Sequence, residues 1–408
     1  MNTLKKIYCR CFQTAFRIIL PVLPYRNPEV HNNISDIPSI LKRENLSKPL
    51  IITDHTLSSL GAADALLDML TKSGIDYALF DGAFPNPTTT LARQAAAFYK
   101  EKNCNGLIAF GGGSPMDLAK ATGVSLARPD KPLEKFAGIL KVHRKLPVLI
   151  AIPTTAGTGS ETTLAAVLIN ADTHHKFAIN DFPLIPEYAI LDSSTIHTLP
   201  PHIAASTGLD ALTHAVEAYI GRSTTRQTRA DAQKAVKLIF ENLDAAVSHE
   251  SISAESAMLR ASHYAGRAFT RSYVGYIHAL SHSLSGKYDL PHGWTNAVLL
   301  PLILKRYGSA VRKKLAQLAL CAGLGKPGDA EDILADRFIA AIEEKNRRYN
   351  IPCHIAAIRQ EDIPLLASYA DKEANPIYPV PVLWDTKELE EIYREISCPA
   401  AHSSQEES

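Results

Sequence analysis

The chain has 408 residues, of which 46% are hydrophobic and 21% charged, a composition typical of a soluble globular protein with room for two domains. The formal net charge of +1 gives no general electrostatic attraction, so we do not expect nucleic acid as a partner. The six cysteines are scattered without Cys-x-x-Cys spacing, which predicts no disulfide framework and makes a reducing compartment the default.

The first 27 residues form a basic extension that contains no acidic residue. A transmembrane helix is disfavoured because Arg10 and Arg17 interrupt the apolar run, and a secretory signal is disfavoured because no small-residue cleavage site follows. A mitochondrial transit peptide fits the basic composition, but serine is missing. We favour a basic amphipathic helix that packs on the body or touches a membrane surface, in a cytoplasmic protein; the mitochondrial matrix is the alternative.

The first half of the chain alternates between strand-like and helix-like segments. Apolar runs rich in β-branched residues are separated by stretches of helical periodicity, which is the pattern of an open, mostly parallel α/β sheet. Because these runs are apolar at nearly every position, we expect helices to cover both faces of the sheet. The predicted strands are residues 49–54, 77–81, 106–110, 148–153 and 189–192.

The character of the sequence changes near residue 200. From there to about residue 350, apolar residues recur every three or four positions, as in amphipathic helices. We predict an α/β domain over residues 28–199 and an all-helical domain over residues 200–398, followed by a disordered tail at residues 399–408. The proline-rich stretch 375–384 cannot be regular helix and is predicted as a loop before a short helix.

A glycine-rich turn follows the predicted strand at residues 106–110. Three glycines, Gly111–Gly113, precede a helix for which Ser114 can serve as N-cap and Pro115 as first residue, with Asp117 in the first turn. Such a turn lets the backbone approach a ligand closely, and free N–H groups at a helix start bind anions. A tight turn without a ligand is the alternative, but the strand-before, helix-after context favours a phosphate site.

A second loop follows the predicted strand at residues 148–153. Gly157 and Gly159 begin like the G-x-G-x-x-G fingerprint, but Thr162 occupies the last position, so neither that fingerprint nor a P-loop is present. By itself this segment is equally a solvated turn with capping threonines. Paired with the glycine-rich turn it suggests a dinucleotide, to which hydroxyls can donate from Thr154, Thr155 and Thr158.

Three isolated polar residues have the right character to contact a cofactor. Asp54, at the end of a predicted strand, suits the hydroxyls of an adenosine ribose and would repel a 2′-phosphate. A helix cap or turn residue is the more common explanation for a lone aspartate. Asn86 and Lys176 lie in loops and are individually uninformative.

Two helical segments carry potential metal ligands. Asp210 and His214 are four residues apart and share one helix face, as do His278 and His282, while His292 lies beyond a break. Nitrogen and oxygen ligands without thiolate suit Fe²⁺ or Zn²⁺, although the first pair can also be a structural hydrogen bond. Spacing alone selects the two i, i+4 pairs and leaves His292 over.

Taken together and in this order, these segments resemble the iron-containing, metal-dependent alcohol dehydrogenases over residues 28–396. The resemblance rests on the phrases GGGSPMDLAK, IPTTAGTGSE, GLDALTHAVEAY and HALSHSLSGKYDLPHG. It implies a dehydroquinate synthase-like fold, with an N-terminal α/β nucleotide-binding domain built on a mostly parallel sheet. It also implies an all-α C-terminal domain that binds the metal.

The resemblance further implies which residues form the site. The metal ligands would be Asp210, His214, His278 and His292, which replaces the choice made from spacing. His282 matches a histidine near nicotinamide and substrate, and is expected to relay the hydroxyl proton. The implied cofactor contacts are Asp54, Asn86, Gly111, Gly112, Gly113, Ser114, Asp117, Thr154, Thr155, Thr158 and Lys176.

The implied function is an NAD(H)-linked oxidoreductase that interconverts a primary alcohol or diol and its aldehyde, with Fe²⁺, or alternatively Zn²⁺, as Lewis acid. The implied partner is a small-molecule alcohol or aldehyde, and the family suggests a homodimer or larger homo-oligomer. Alternatives are a hydroxyacid–oxoacid transhydrogenase, a lyase resembling dehydroquinate synthase, and a non-catalytic nucleotide-binding protein. Ser283, Ser285 and Trp294 depart from the family pattern and leave the substrate open.

Overall fold

The computed structural model describes residues 1–173 and 175–397. The chain packs as two compact units, which we call the sheet unit and the helical unit. The sheet unit comprises residues 24–173, 175–211 and 238–270, and the helical unit comprises residues 1–23, 212–237 and 271–397. The predicted disordered tail lies outside the described residues.

The sheet unit is built on a six-stranded parallel sheet with strand order β1-β9-β6-β4-β2-β3. All five predicted strands are present, which confirms the α/β class with a mostly parallel sheet. The strands are β1 (Glu29–His31), β2 (Pro49–Asp54), β3 (Ala78–Ala83), β4 (Gly106–Gly111), β5 (Gly138–Ile139), β6 (Leu149–Pro153), β7 (Ala165–Ile169), β8 (Lys176–Asn180) and β9 (Tyr188–Ile190).

A second, three-stranded sheet of order β5-β8-β7 was not predicted. Its β7 and β8 pair antiparallel over five residues each. These strands are short and mostly half-buried, so they lack the continuous apolar run by which the main strands were recognised.

The remaining regular structure is helical, and from α7 onward the described chain forms helices and connecting segments only. This confirms the predicted helical C-terminal region. The helices are α1 (Thr3–Ile19), α2 (Ile37–Arg43), α3 (His55–Ser59), α4 (Asp64–Lys72), α5 (Thr89–Glu101), α6 (Gly113–Ala127), α7 (Pro201–Ile220), α8 (Arg226–Val247), α9 (Ile252–Ser272), α10 (Tyr276–Tyr288), α11 (His292–Tyr307), α12 (Arg312–Cys321), α13 (Glu331–Arg348), α14 (Ile363–Ala374) and α15 (Thr386–Ile396).

The core of the sheet unit lies on both faces of strands β2, β4 and β6. Ile51, Ile108 and Ile150 lie side by side in register and face one apolar cluster. Leu50 and Leu107 precede two of them, are also paired, and face the opposite cluster. Burying each such side chain contributes about 1.5–3 kcal/mol, so a slip in register is strongly disfavoured. The parallel register brings the carboxyl ends of these strands, and the loops that follow, to one edge.

A buried lysine of α6 holds the loop after β6 in place. Lys120 Nζ donates to the carbonyl oxygens of Ser160, Thr163 and Ala165 at 2.7, 3.0 and 3.0 Å. One turn earlier, Asp117 accepts a 3.3 Å hydrogen bond from the Ser160 hydroxyl. Burial raises the pKa of Asp117 to about 6 and lowers the pKa of Lys120 to about 8, while the opposite charge of each group opposes the shift of the other.

Replacing Lys120 by methionine should lower the free energy of unfolding by about 3 kcal/mol, because buried carbonyl oxygens lose their donor and Asp117 loses a nearby cation. Chemical denaturation followed by circular dichroism measures the loss. Lys102→Met, at an exposed lysine of the same unit, is the matched control and should change stability by less than about 0.5 kcal/mol. Equal stability of the two variants would contradict the proposal that Lys120 stabilises the loop after β6.

Candidate active site

The glycine-rich turn joins β4 to α6 more tightly than the sequence predicted. We expected Ser114 as N-cap, but α6 begins at Gly113 and its N-cap is Gly112, which provides no side-chain hydrogen bond. Gly111 has φ +153°, and a Cβ there would lie 2.5 Å from Pro115 Cγ, so this position requires glycine. The helix therefore starts directly after the strand, without a side-chain cap over its first N–H groups, which is an arrangement that binds anions.

The threonine loop after β6 lies against this turn. Gly111 pairs with Pro153 across the sheet, and the Thr154 N–H donates to the Gly111 carbonyl at 3.1 Å. A Cβ on Gly112 would lie 3.5 Å from the side chain of Thr155. Thr155 Oγ1 is buried and has no hydrogen-bond partner among the described residues. Such a hydroxyl costs about 1–3 kcal/mol unless a ligand satisfies it, so this cradle fits a phosphate group.

The other predicted cofactor residues fall into two groups by their contacts. Lys176 Nζ donates to Asn86 Oδ1 at 2.8 Å, so the fold brings these two residues together. Lys176 is the first residue of β8 and does not lie in a loop, contrary to the prediction. Asp54 is the N-cap of α3 and accepts from the Leu57 N–H at 2.9 Å through one carboxylate oxygen. The second oxygen can still accept from a ribose hydroxyl.

Ser114, Asp117 and Thr158 complete the predicted cofactor set. Ser114 lies in the first turn of α6, and Thr158 Oγ1 accepts from the Ser160 N–H at 3.3 Å. Asp117 accepts hydrogen bonds from Ser160 and, at 3.2 Å, from the Val167 N–H, so its carboxylate is used within the fold. A direct cofactor contact by Asp117 stays a prediction.

Four of the predicted metal ligands meet at one point. One ligand atom each of Asp210, His214, His278 and His292 lies within 4.8 Å of the others. Asp210 and His214 are one turn apart on α7, His278 lies on α10, and His292 begins α11. The group contains His292 and not His282, against the choice that spacing alone favoured. One carboxylate and three imidazoles form a donor set suited to Fe²⁺ or Zn²⁺.

His278 is held in one orientation by Glu217, a residue that the sequence reading did not single out. Glu217 Oε2 lies 2.6 Å from His278 Nδ1, and the same carboxylate accepts the N–H groups of Gly275 and Ile277. Burial, followed by the neighbouring His214 and His292, lowers the pKa of His278 well below its usual value. A neutral ring that donates from Nδ1 leaves the Nε2 lone pair for a metal ion.

His292 is oriented by neighbours on both sides. Ser281 Oγ lies 3.2 Å from its Nδ1, and Asn296 Nδ2 faces its Nε2 at 3.1 Å. The same amide nitrogen lies 3.2 Å from His278 Nε2. The two Nε2 atoms therefore converge, as ligands of a single ion must.

His282 stands beside this cluster with different partners. Its ring stacks on His292 at 4.9 Å between centroids, and its Nδ1 lies 2.7 Å from Glu373 Oε1. Tyr378 donates to the same carboxylate oxygen at 2.7 Å. The side chain of His282 is 32% exposed, so its second nitrogen can exchange protons with a ligand or with solvent. Neither Glu373 nor Tyr378 could be recognised from the sequence as a partner of His282, because both are distant from it along the chain.

The loop that carries Tyr378 is anchored by the N-terminal helix. Arg10 donates to the carbonyl oxygen of Val380 at 2.7 Å, and Gln13 donates to that of Tyr378 at 2.7 Å. Tyr276 reinforces the loop from the other side, since its hydroxyl donates to Asn375 at 3.0 Å. The predicted basic extension is thus an amphipathic helix that packs on the helical unit and supports the surroundings of His282.

A strand–helix turn that fits an anion and a buried aspartate–histidine cluster suited to a divalent ion are the features expected of a metal-dependent, nucleotide-linked oxidoreductase. Residues 30–193 match the family described as iron-containing alcohol dehydrogenase, and residues 204–397 match the C-terminal part of the Fe-containing alcohol dehydrogenase family. The chain belongs to the iron-containing alcohol dehydrogenase family, as its motifs predicted, and is an oxidoreductase of that type.

Relatives in the same family match this chain over most of their length. A 1,3-propanediol dehydrogenase of Klebsiella pneumoniae is 38% identical over 353 residues, covering 85% of this chain and 91% of the relative. An NAD-dependent methanol dehydrogenase of Bacillus methanolicus is 35% identical over 340 residues, covering 83% and 89%. The crystal structure of a 1,3-propanediol oxidoreductase superposes with a TM-score of 0.87 at 36% identity, covering 91% of this chain and 99% of that one.

Glu217→Gln should weaken metal retention about 10- to 100-fold, because the amide no longer fixes the tautomer and orientation of His278. Competition with a chelator, followed by metal analysis, measures the affinity. Glu331→Gln changes an exposed glutamate of the same unit and should leave it unchanged. Unaltered retention in both variants would show that Glu217 does not support the ligand.

Proposed function

We propose that the protein is an NAD(H)-linked, iron-dependent dehydrogenase that interconverts a short primary alcohol or diol with its aldehyde. The observation that carries the proposal is the convergence of one carboxylate and three imidazoles within 4.8 Å, with a fifth polar residue, His282, stacked against the group. The names of the two relatives, a 1,3-propanediol dehydrogenase and a methanol dehydrogenase, support short alcohols and diols as the substrate class.

In this proposal Asp210, His214, His278 and His292 hold Fe²⁺, with Zn²⁺ as the alternative ion. Three imidazole nitrogens and one carboxylate oxygen leave coordination positions for a substrate oxygen, as catalytic sites require. The burial of Asp210, His214 and His278 supports the assignment, because a buried carboxylate and neutral imidazoles are best satisfied by a shared cation.

The cofactor residues are assigned in the same way. The first N–H groups of α6 and the hydroxyl of Thr155 would receive the pyrophosphate of NAD, and the remaining residues of both loops would line it. Asp54 would accept from the adenosine ribose and disfavour the 2′-phosphate of NADP. Asn86 and Lys176 would contact the cofactor as a pair that is already hydrogen-bonded in the protein.

The residues around His282 are suited to move a proton. When bound, the metal ion polarises the substrate oxygen and the nicotinamide exchanges a hydride with the substrate carbon. His282 holds or releases the hydroxyl proton at Nε2, since Glu373 engages its Nδ1. Tyr378 in turn orients Glu373. Because His282 is partly exposed, it can exchange this proton with solvent.

The alternative reactions receive less support. The relatives reported above are dehydrogenases and favour neither a transhydrogenase nor a dehydroquinate synthase-like lyase. Of the residues that depart from the family pattern, Ser283 makes a hydrogen bond within its own helix, where its Oγ donates to the Ala279 carbonyl at 3.1 Å. Family resemblance supports a cytoplasmic homodimer or larger homo-oligomer.

Alanine variants of the two α10 histidines separate ligand from proton relay. His278→Ala should lose the metal and all activity, since it removes a ligand from a four-ligand site. His282→Ala should keep the metal and lower kcat by about 10²- to 10⁴-fold, as loss of a general acid–base does. Anaerobic metal loading, metal analysis and NADH oxidation with short aldehydes provide the measurements.

His202→Ala, at an exposed histidine of α7, is the control and should retain metal and rate. Equal metal loss in the His278 and His282 variants would overturn the division of roles. Metal-loaded wild-type protein that oxidises no NADH with any short aldehyde would overturn the proposed reaction.

A further inference from the structure

A second group of potential metal ligands lies within the sheet unit. It consists of His197, His249 and Glu255, whose ligand atoms all lie within 4.8 Å of one another. The three residues come from separate segments: the chain before α7, the turn after α8 and the first turn of α9. None of them belongs to the site described above.

Both imidazoles aim the same nitrogen at one carboxylate. His197 Nδ1 lies 3.0 Å and His249 Nδ1 lies 2.8 Å from Glu255 Oε1. The glutamate is buried and lies in the first turn of α9, a position where the helix dipole is favourable to an acidic residue. A buried carboxyl group thus faces two ring nitrogens.

The hydrogen bond at Nε2 of His249 determines which ring nitrogen carries the hydrogen. Its Nε2 lies 3.0 Å from the carbonyl oxygen of Leu199, which can only accept, so Nε2 carries a hydrogen. A neutral ring then presents the Nδ1 lone pair to a carboxylate oxygen, and two lone pairs at 2.8 Å repel each other. A metal ion bound by both atoms removes this repulsion, and so does a second ring proton. Donation from the far nitrogen to a backbone carbonyl is the usual support of a metal-bound histidine.

The end of α8 sets the backbone conformation of His249. Its φ is +56°, the left-handed conformation with which helices commonly end, and the following Glu250 N–H donates to the Ala245 carbonyl at 3.1 Å. This turn places the ring beside Leu199 and Glu255.

We propose that His197, His249 and Glu255 bind a divalent transition-metal ion of the zinc type, which joins the three segments. Tetrahedral bonds of about 2.0–2.1 Å separate ligand atoms by about 3.3 Å, so the observed 2.8–3.1 Å needs only small side-chain rotations. His197 is 52% exposed, which gives the ion access from solvent and lets water complete its coordination. Because the three ligands come from separate segments of the chain, the role of this ion is to hold those segments together.

Zinc titration of the full-length, chelator-stripped protein at pH 8 tests this site. We expect two equivalents of bound Zn²⁺ per chain in the wild type and one in His278→Ala, where only the His197 site remains. His197→Ala should retain one equivalent and its dehydrogenase rate, and the double variant should bind none. Zinc should raise the Tm of His278→Ala but not that of the double variant.

His202→Ala, an exposed histidine of the same unit, should bind as the wild type does and excludes adventitious imidazole binding. No zinc bound to His278→Ala would overturn the proposal and identify the cluster as an ion pair closed by a proton. Zinc binding unchanged by His197→Ala would overturn it as well. Because the readout in His278→Ala does not involve catalysis, failure here is distinguishable from failure of the proposed function.

An independent observation concerns the outer face of α1, which is inverted relative to an ordinary surface helix. Three of its polar residues face inward: Lys5 pairs with Asp371 at 2.8 Å, and Arg10 and Gln13 bind loop carbonyls. Most of its large apolar residues face outward, with exposures from 38% to 79%, and the chain just after the helix adds Val22. They are Leu4, Ile7, Tyr8, Phe12, Ile18, Ile19 and Val22.

The outer surface of α1 is positively charged, which favours an anionic partner over a second copy of the same surface. Lys6 and Arg17 are exposed on α1, and no acidic residue occurs before Glu29. Pairing with the same face of a second copy would bring together only positive charges. An anionic lipid surface complements both the apolar residues and the lysine and arginine.

We infer that α1 binds in the plane of an anionic membrane surface. Within the described residues, no helix is long and apolar enough to span a bilayer, so the contact is peripheral. The inward polar contacts keep the helix attached to the helical unit while its outer face is buried in the lipid headgroup region.

Co-sedimentation of the full-length protein with vesicles tests this surface. We expect binding to phosphatidylcholine vesicles containing phosphatidylglycerol and at least tenfold weaker binding to phosphatidylcholine alone. Ile7→Ser with Ile18→Ser should reduce binding at least tenfold, and Lys6→Glu with Arg17→Glu should remove the preference for anionic lipid, both with unchanged dehydrogenase rate. Ile333→Ser, an exposed isoleucine of α13, is the control. Absence of vesicle binding, or an oligomer that the isoleucine pair dissociates, would overturn the inference.

Discussion

The carboxylate of Glu217 is the contact on which the metal cluster depends. It is buried between α7 and α10, where an unsatisfied charge would cost several kcal/mol, and it accepts the N–H groups of Gly275 and Ile277 and faces His278 Nδ1. These bonds fix where α10 begins relative to α7. Because both helices carry proposed ligands, the Glu217 carboxylate sets the separation between α7 and α10, and it also sets the tautomer of His278.

The surroundings of His282 depend on a different set of constraints. Glu373 and Tyr378 reach it from the end of α14 and from the loop after it, and that loop is held by Arg10 and Gln13 of α1. A helix outside the segments matched by the family therefore supports the proposed proton path. Its inward face serves this support, while its outward apolar face is free for the membrane contact inferred above.

The parts of the fold that were predicted correctly share a physical origin. Strands β2, β4 and β6 are buried on both faces, so their apolar runs are continuous and easily recognised. The start of α6 was placed two residues late, because Ser114 has the side chain of a typical N-cap and the sequence does not reveal that Gly112 is the N-cap without a side chain. The second sheet was not predicted because strands β7 and β8 are short and mostly half-buried.

By itself the sequence determined the fold class, the two loops that fit a dinucleotide and the five candidate ligand residues, because periodicity and turn chemistry are local properties. Helical spacing also paired His278 with His282, since residues four apart share a face. Tertiary structure distinguished the positions of these histidines: the chain reverses after α10 and brings His292 into the group with Asp210, His214 and His278, while Glu373 engages His282. Contacts between residues distant along the chain, such as those of Glu217, Glu373 and Glu255, depend on helix packing and have no local signature.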